Sequence, residues 1–193
     1  MRPDQRMASI EEVAFGVFAE RGYSASGLAE IAERAEVSKT LLYHYYPDGR
    51  PELMVAVMGG LAHDLLAATG QAVSAPVTAE ARLTRFVEAF LGHFVERPEA
   101  FRLLFRDPWG SGDPAVVGRS VQTNVELSGQ LIEPLARSGA PGAALVTSTQ
   151  GVIGFLLAAT ELVLSGQVPP HQAVDASVRF LVAGMAGLDD LAR

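Results

Sequence analysis

The chain contains 193 residues, of which 49% are hydrophobic and 19% are charged. This balance excludes a disordered protein and allows one large or two small domains with a sizeable core. The absence of cysteine excludes a disulfide framework and a thiolate metal site, and it suits a reducing compartment. The net charge of −7 excludes a strongly basic coat for nucleic acid.

The N-terminus and the apolar stretches predict a cytoplasmic protein without a membrane partner. The first six residues lack the apolar run and the small-residue cleavage site of a signal peptide. The longest apolar stretch, Gly151 to Ala159, is too short to span a bilayer.

The periodicity of apolar residues predicts an all-α fold of about nine helices without strands. The first helix carries an apolar stripe from Ile10 to Phe18 and ends at Gly22. We expect Ser26 to cap a short second helix and Ser38 to begin the third. The fourth should stop at Gly70, and a loop should follow the sixth. The remaining predicted segments are helices from about Pro51, Thr78, Pro98, Ala115, Ala143 and His171, and the loop Asp107–Pro114.

The third predicted helix, Ser38–Tyr46, combines an N-cap, an apolar back and a polar front. Leu41, Leu42 and Tyr45 share one face at helical spacing. Lys39, Thr40, Tyr43 and His44 project from the other faces. A helix that lies in the major groove of DNA needs this design, but a surface helix of any helical domain has it too.

The charge distribution complicates a DNA-binding interpretation. Residues 1–57 contain six basic and nine acidic residues, so this region is not basic on average. Glu30, Glu33 and Glu36 lie close to the third helix in sequence. Lys39, the only lysine of the chain, falls in the first turn of that helix. Only charges near phosphates contribute to binding, so their positions matter more than the total.

Three short helices that close on residues 37–46, followed by a long helical body, resemble the TetR family of bacterial transcriptional regulators. The resemblance covers Ile10 to about Val57, roughly the first quarter of the chain. It implies a helix-turn-helix domain at 1–48 and a ligand-binding and dimerisation domain at 49–193. It further implies a homodimeric repressor that a small molecule releases from a palindromic DNA operator. The segments that carry it are Phe18–Tyr23, Ile31-Ala32, Ala35 and Val37–Tyr46.

The resemblance assigns DNA contacts to the third helix. Lys39 and Thr40 would approach base edges, because an ammonium group can bond guanine acceptors and a threonine methyl can touch thymine. Tyr43 and His44 would bond phosphates. Tyr45 is expected to pack in the core. The complete predicted DNA-binding set is Ser26, Ser38, Lys39, Thr40, Tyr43, His44 and Arg50.

The sequence departs from the family pattern at two positions near these residues. The family usually has glycine in the turn where this chain has Glu36, so the backbone there either becomes left-handed or the turn changes slightly. The usual serine–lysine signal before the fourth helix is replaced by Asp48–Pro51. Arg50 is expected to replace the missing lysine at a phosphate.

The last two predicted helices suit a dimer interface, because 145–164 is apolar nearly all round. The alternative is that they form the core of the monomer. An aromatic-rich fifth and sixth helix opposite a polar seventh predicts a pocket for an unknown small apolar or amphipathic effector, although each aromatic residue alone suits core packing. The predicted interface comprises Val152, Phe155, Ala159, Val178, Leu181 and Met185, and the predicted pocket comprises Phe90, His93, Phe94, Phe101, Phe105, Trp109, Gln122 and Gln150.

The sequence contains no motif for catalysis. The four histidines lack the spacing of a zinc helix, and no serine lies in a nucleophile elbow. We therefore expect neither an enzyme nor a bound metal or cofactor. The alternative function is a helical dimer that senses a ligand or binds a protein and has lost DNA binding, which Glu36 and the acidic first 57 residues favour.

Overall fold

A computed structural model describes the backbone of residues 2–74, 77–136 and 142–190. Within these ranges the chain forms nine helical stretches and no strand, as the periodicity predicts. The described residues divide into two compact units. The first unit contains the chain up to His63 together with Glu99–Val121, and the second contains Asp64–Pro98 and the chain from Gln122. The predicted domain boundary at 48/49 stays a prediction.

The first unit begins with three helices and the start of a fourth. Their bounds are α1 Pro3–Arg21, α2 Leu28–Arg34, α3 Lys39–Tyr45 and α4 Arg50–Val73. Helix α4 therefore runs three residues past the predicted stop at Gly70. The buried residues of α1 are Ile10, Ala14, Val17 and Phe18, which confirms most of the predicted stripe.

Helix α1 ends where the sequence predicts. Gly22 has a φ of 76° and a ψ of 162°, a backbone conformation that glycine adopts without a steric penalty from Cβ. Its amide donates to the Phe18 carbonyl at 2.8 Å, so one carbonyl of the last turn is satisfied.

The stretch Pro98–Gly110 is helical throughout, so the predicted loop at Asp107–Pro114 is wrong in its first half. Helix α6, Pro98–Phe101, continues into a π-helical segment, Arg102–Arg106, and then into α7, Asp107–Gly110. Pro108, the second residue of α7, is buried and directly follows the junction with the π-helical segment. Only 111–113 separates this stretch from the next helix.

The second unit is built around α5 (Ala79–Glu96), α9 (Gly142–Leu164) and α10 (Pro170–Asp190), which pack on one another. Helix α8, Pro114–Ala136, begins in the first unit's residues and continues into those of the second. The apolar stripe of α5 is buried, because burial of large aromatic side chains removes much apolar surface from water. Its fully buried members include Phe86, Val87, Phe90 and Phe94.

Two helical segments, α4 and Val146–Leu164 of α9, are long and apolar enough to cross a membrane by length and composition alone. The nine-residue apolar stretch noted in the sequence understates the length of the second. Core helices of soluble proteins meet the same criterion, so this observation is weak evidence for a membrane span.

Candidate nucleic-acid interface

Helices α2 and α3 are joined by the short turn Ala35–Ser38. The amide of Val37 donates to the Ala32 carbonyl at 2.9 Å, which closes the end of α2. Glu36 has a φ of 54° and is the only non-glycine residue with positive φ among the described residues. Of the two alternatives for this turn, the backbone therefore adopts the left-handed one, which costs a residue with Cβ about 1–2 kcal/mol.

The N-terminus of α3 is capped as predicted. The Ser38 hydroxyl accepts a hydrogen bond from the Leu41 amide at 3.1 Å. Behind the helix, Leu42 is fully buried, and Leu41 and Tyr45 are half-buried. The cap and the buried leucine together hold a helix of only seven residues, a length that is unstable in isolation.

The front of α3 faces solvent. Ser38, Lys39, Thr40 and His44 are exposed, and half of the Tyr43 side chain is accessible. These residues present an ammonium group, hydroxyl groups and an imidazole on one short helix. Each of these groups can donate to a phosphate oxygen or to a base edge.

A buried aromatic residue anchors the end of α3, and it is Tyr46 rather than the predicted Tyr45. Tyr46 is 2% exposed, and its hydroxyl donates to Glu11 of α1 at 2.8 Å. Burial and the neighbouring Glu11 carboxylate raise the pKa of Tyr46 well above its usual range. The ring of Tyr45 instead lies edge-on to His44 at 5.4 Å.

Ser26 does not cap α2 as predicted. Helix α2 begins at Leu28, and Gly27 occupies the N-cap position without a side-chain hydrogen bond. The Ser26 side chain is buried, and its hydroxyl donates to the Gly22 carbonyl at 2.6 Å. The hydroxyl is therefore used inside the domain, and its predicted phosphate contact remains untested.

Arg50 is also engaged by its own chain. Its Nη1 donates to the carbonyls of Ser24 and Ser26 at 3.1 and 3.2 Å. Its guanidinium lies 4.5 Å from the ring centre of Tyr23, whose hydroxyl donates to Asp113 at 3.4 Å. Burial, followed by the Asp113 charge, raises the pKa of Tyr23. Arg50 thus ties the start of α4 to the α1–α2 connection, a structural role that sequence spacing does not reveal.

Ion pairs neutralise part of the acidic charge near α3. The Glu30 carboxylate lies 2.9 Å from Arg21 and 2.7 Å from Arg34, and Arg34 also pairs with Glu20 at 2.8 Å. Glu36 is exposed and lies in the turn before α3, so its carboxylate opposes an approaching phosphate.

The residues of the predicted effector pocket divide between the two units. Phe101, Phe105 and Trp109 belong to the first, and the other five belong to the second. Phe101 and Phe105 are buried, whereas Trp109 is 62% exposed. The pocket as a single set therefore stays a prediction. The second unit holds Phe90, His93, Phe94, Gln122 and Gln150.

Within the second unit, α5 carries a continuous row of aromatic rings. Phe90 lies 6.2 Å from Phe86 and 5.1 Å from Phe94, measured between ring centres. His93 packs edge-on against Phe94 at 5.2 Å. Desolvation, followed by the Arg97 charge, lowers the pKa of His93, which favours the neutral imidazole. Gln122 and Gln150 are exposed, and Gln122 donates to Glu126 at 2.8 Å.

Three buried polar atoms of the second unit lack a hydrogen-bond partner among the described residues. They are Arg82 Nε, His93 Nε2 and Asn124 Oδ1. Burial of an unsatisfied polar group costs about 1–3 kcal/mol, so such groups call for a partner.

Helices α9 and α10 expose apolar surface within the second unit. Phe155 and Phe180 stack with ring centres 4.7 Å apart, and Phe180 is 61% exposed. Val146 and Leu162 of α9 are also exposed. Among the predicted interface residues, Val152, Ala159 and Leu181 are buried, Phe155 and Val178 are half-buried, and the side chain of Met185 lies outside the described residues.

Comparison with known proteins gives a family match at residues 10–57, to the model described as bacterial regulatory proteins, tetR family. The HTH-type transcriptional activator FasR of Mycolicibacterium smegmatis is 26% identical over 186 residues, covering 95% of this chain and 84% of that protein.

Two solved structures share the fold. One is a transcriptional regulator from Pseudomonas aeruginosa PAO1, with a TM-score of 0.84, 20% identity and coverage of 100% of this chain and 96% of that chain. The other is the regulator FadR from Bacillus subtilis in complex with stearoyl-CoA, with a TM-score of 0.78, 15% identity and coverage of 92% and 98%.

Proposed function

Because this chain belongs to the TetR family of bacterial regulatory proteins and is a ligand-responsive DNA-binding transcriptional regulator, we propose that it works as a homodimeric repressor in the cytoplasm. The dimer binds a palindromic operator, and an effector that enters the second unit releases it. Two-fold symmetry of the protein matches two-fold symmetry of the DNA site.

The exposed front of the capped helix α3 carries this proposal. Lys39 and Thr40 lie in its first turn, and residues at the N-terminal end of a recognition helix reach base edges. Tyr43 and His44 lie one turn further along and bond phosphates on either side of the groove. Ser26 and Arg50 are left out of this set, because their polar groups bind carbonyls of the chain itself.

The exposed apolar surface of α9 and α10 supports a homodimer. Phe180 and Val146 are each more than half exposed, and such surface on a soluble protein marks an interaction site. A two-fold interface places the same patch against itself, so the stacked pair Phe155–Phe180 would be buried twice.

The aromatic row of α5 and the unsatisfied atoms of His93 and Asn124 support an effector site in the second unit. Apolar walls with a few convergent polar groups are typical of sites for small molecules. FadR, a structural neighbour, holds stearoyl-CoA. We therefore propose an amphipathic effector with a long acyl chain, whose polar group satisfies His93 Nε2 or Asn124 Oδ1.

Operator selection from random duplex DNA is the experiment that tests this function. The wild-type chain should enrich two half-sites in inverted orientation, and its affinity should fall steeply with salt. Enrichment of no sequence would overturn the regulator proposal. A reporter gene that carries the selected operator then tests repression, and stearoyl-CoA should raise its expression. Reporter activation by the unliganded protein would overturn the repressor assignment.

The left-handed Glu36 favours one second candidate, a dimeric ligand-sensing or protein-binding chain with weak or lost DNA binding. The Glu36 carboxylate lies beside α3, where it repels phosphate. This candidate predicts a dimer in sedimentation, no operator enrichment, and recovery of DNA binding in Glu36→Gly. Operator enrichment by the wild-type chain would exclude it.

A further inference from the structure

The first unit contains a cavity of about 510 Å³ beside the connection between α1 and α2. One wall is the connection itself, and the other wall comes from the π-helical segment and α7. The volume falls in the range of sites for small molecules, so it exceeds what a bare inorganic ion needs. The lining includes Arg21 and Tyr23–Ala25 on one side and Arg102, Arg106 and Asp107 on the other.

The lining is cationic in a chain whose net charge is −7. Three arginines and one aspartate line the cavity. Because Arg21 is paired with Glu30, the cationic excess comes from Arg102 and Arg106, which outnumber Asp107 by one charge. Guanidinium groups bind carboxylates and phosphates in a bidentate geometry, because their fork of donors matches two acceptor oxygens.

Arg102 is fixed in this cavity by its own chain. Its Nη2 donates to the carbonyls of Phe18 and Ala19, which lie in the last turn of α1. Its Nε lies 3.3 Å from the Asp107 carboxylate, but the orientation leaves Nε without a hydrogen-bond partner among the described residues. Because these donors cover carbonyls of α1, the negative end of the helix dipole is screened from the cavity.

The opposite wall offers backbone donors. The amides of Tyr23, Ser24 and Ala25 make no hydrogen bond to an acceptor in the described part of the chain. Successive unpaired amides in a turn are favourable for anions, because they contribute fixed positive partial charges. Ser24 and Ala25 are exposed, so an entering ligand can reach this wall.

We propose that this cavity is a second small-molecule site, separate from the effector site of the second unit, and that it binds an organic anion bearing a phosphate or carboxylate group. The acidic group lies between Arg102 and Arg106, and the remainder of the ligand lies over Tyr23–Ala25. Asp107 opposes the anion and limits its affinity.

Titration with pyrophosphate and with citrate tests the proposal. Calorimetry at constant ionic strength measures binding directly. Trp109, the only tryptophan, precedes the lining residue Gly110 and serves as a fluorescent reporter. One or both anions should bind saturably at millimolar concentration or below. The anion that binds more tightly identifies the acidic group of the ligand class.

Four variants locate the site. Arg106→Gln should weaken anion binding by roughly tenfold or more, since it removes a charged hydrogen-bond donor. Asp107→Asn should tighten binding several-fold, a gain that misfolding does not produce. Two control variants should leave the affinity for the anion unchanged. They are Arg85→Gln, which changes an exposed arginine of the second unit, and Lys39→Ala on the front of α3.

The proposal is overturned if neither anion binds the wild-type chain, if Arg85→Gln or Lys39→Ala weakens binding as much as Arg106→Gln, or if Asp107→Asn fails to tighten it. None of these readouts uses DNA, so the regulator proposal can fail or hold independently.

Discussion

Helix α3 and the helix pair α9–α10 both expose residues to solvent, but the exposed chemistry is opposite. Helix α3 exposes Lys39, Thr40 and His44 over a buried Leu42. Helices α9 and α10 expose Val146, Leu162 and Phe180. Polar groups on a short capped helix gain little from burial, so they suit a hydrated and charged partner such as DNA. Apolar groups gain from burial without directional bonds, so they suit another copy of the chain.

The proposed dimer interface of α9 and α10 should be most sensitive to substitution of Phe180. Phe180→Asp places a carboxylate where the proposed interface buries an aromatic ring, so each copy should lose about 2 kcal/mol of association energy or more. Sedimentation at micromolar concentration should then change from dimer to monomer. Trp109→Asp is the matched control, because Trp109 is equally exposed but belongs to the first unit. A wild-type monomer would contradict the use of α9 and α10 as an interface.

Operator binding by the exposed face of α3 should be sensitive to substitution of Lys39. Lys39→Ala should weaken operator binding by about 1–3 kcal/mol and relax specificity at one base pair, because a lysine contact to guanine carries both affinity and sequence information. Mobility shifts with the selected operator and its single-base variants measure both effects. Arg85→Ala removes an exposed cation of the second unit and should have neither effect. If Lys39→Ala instead lowers the affinity for all operator variants equally, Lys39 contacts a phosphate and not a base edge.

Substitutions at two helix caps separate an effect on stability from an effect on operator affinity. Ser38 caps α3 and Thr78 caps α5, each by accepting a hydrogen bond from an amide three residues later. Either residue changed to alanine should cost about 1 kcal/mol of unfolding free energy in urea denaturation. Only Ser38→Ala should also reduce operator affinity. Equal operator affinity for both variants would mean that α3 holds its position without the cap.

Glu36 combines a left-handed backbone with a carboxylate that opposes phosphate, so it is expected to lower both stability and operator affinity. Glu36→Gly should raise the unfolding free energy by about 1 kcal/mol and strengthen operator binding, since it relieves the left-handed backbone and removes a carboxylate. Glu36→Ala removes the charge but keeps the strain, so it separates the two effects. If neither variant changes operator affinity, the Glu36 charge is harmless to DNA binding.

The smallest expected effect concerns His93 and pH. Its pKa is lowered in the folded state, mainly by burial and then by Arg97, against opposing contributions from Asp64 and Glu96. The folded chain therefore binds this proton less readily than the unfolded chain, so stability should fall as pH drops below the ordinary value of 6.5. His93→Gln should flatten this fall in urea titrations. The exposed His63→Gln should keep the wild-type slope, and an equal change in both variants would contradict the role of His93.

The sequence predicted the helices, the Ser38 cap and the polar front of α3, and it allowed the left-handed backbone at Glu36 as one of two alternatives for the turn. These features depend on residues within about one turn of one another, so periodicity and cap chemistry are sufficient to find them.

Tertiary structure decided the rest of the site. Arg50 binds carbonyls 24 and 26 residues away, Arg102 binds carbonyls 83 and 84 residues away, and Tyr46 rather than Tyr45 reaches Glu11, 35 residues away. A backbone carbonyl carries no residue identity, so no pattern along the chain indicates which carbonyl an arginine will find. For this reason the sequence predicted a phosphate contact for Arg50 and did not reveal the arginine-lined cavity beside α1.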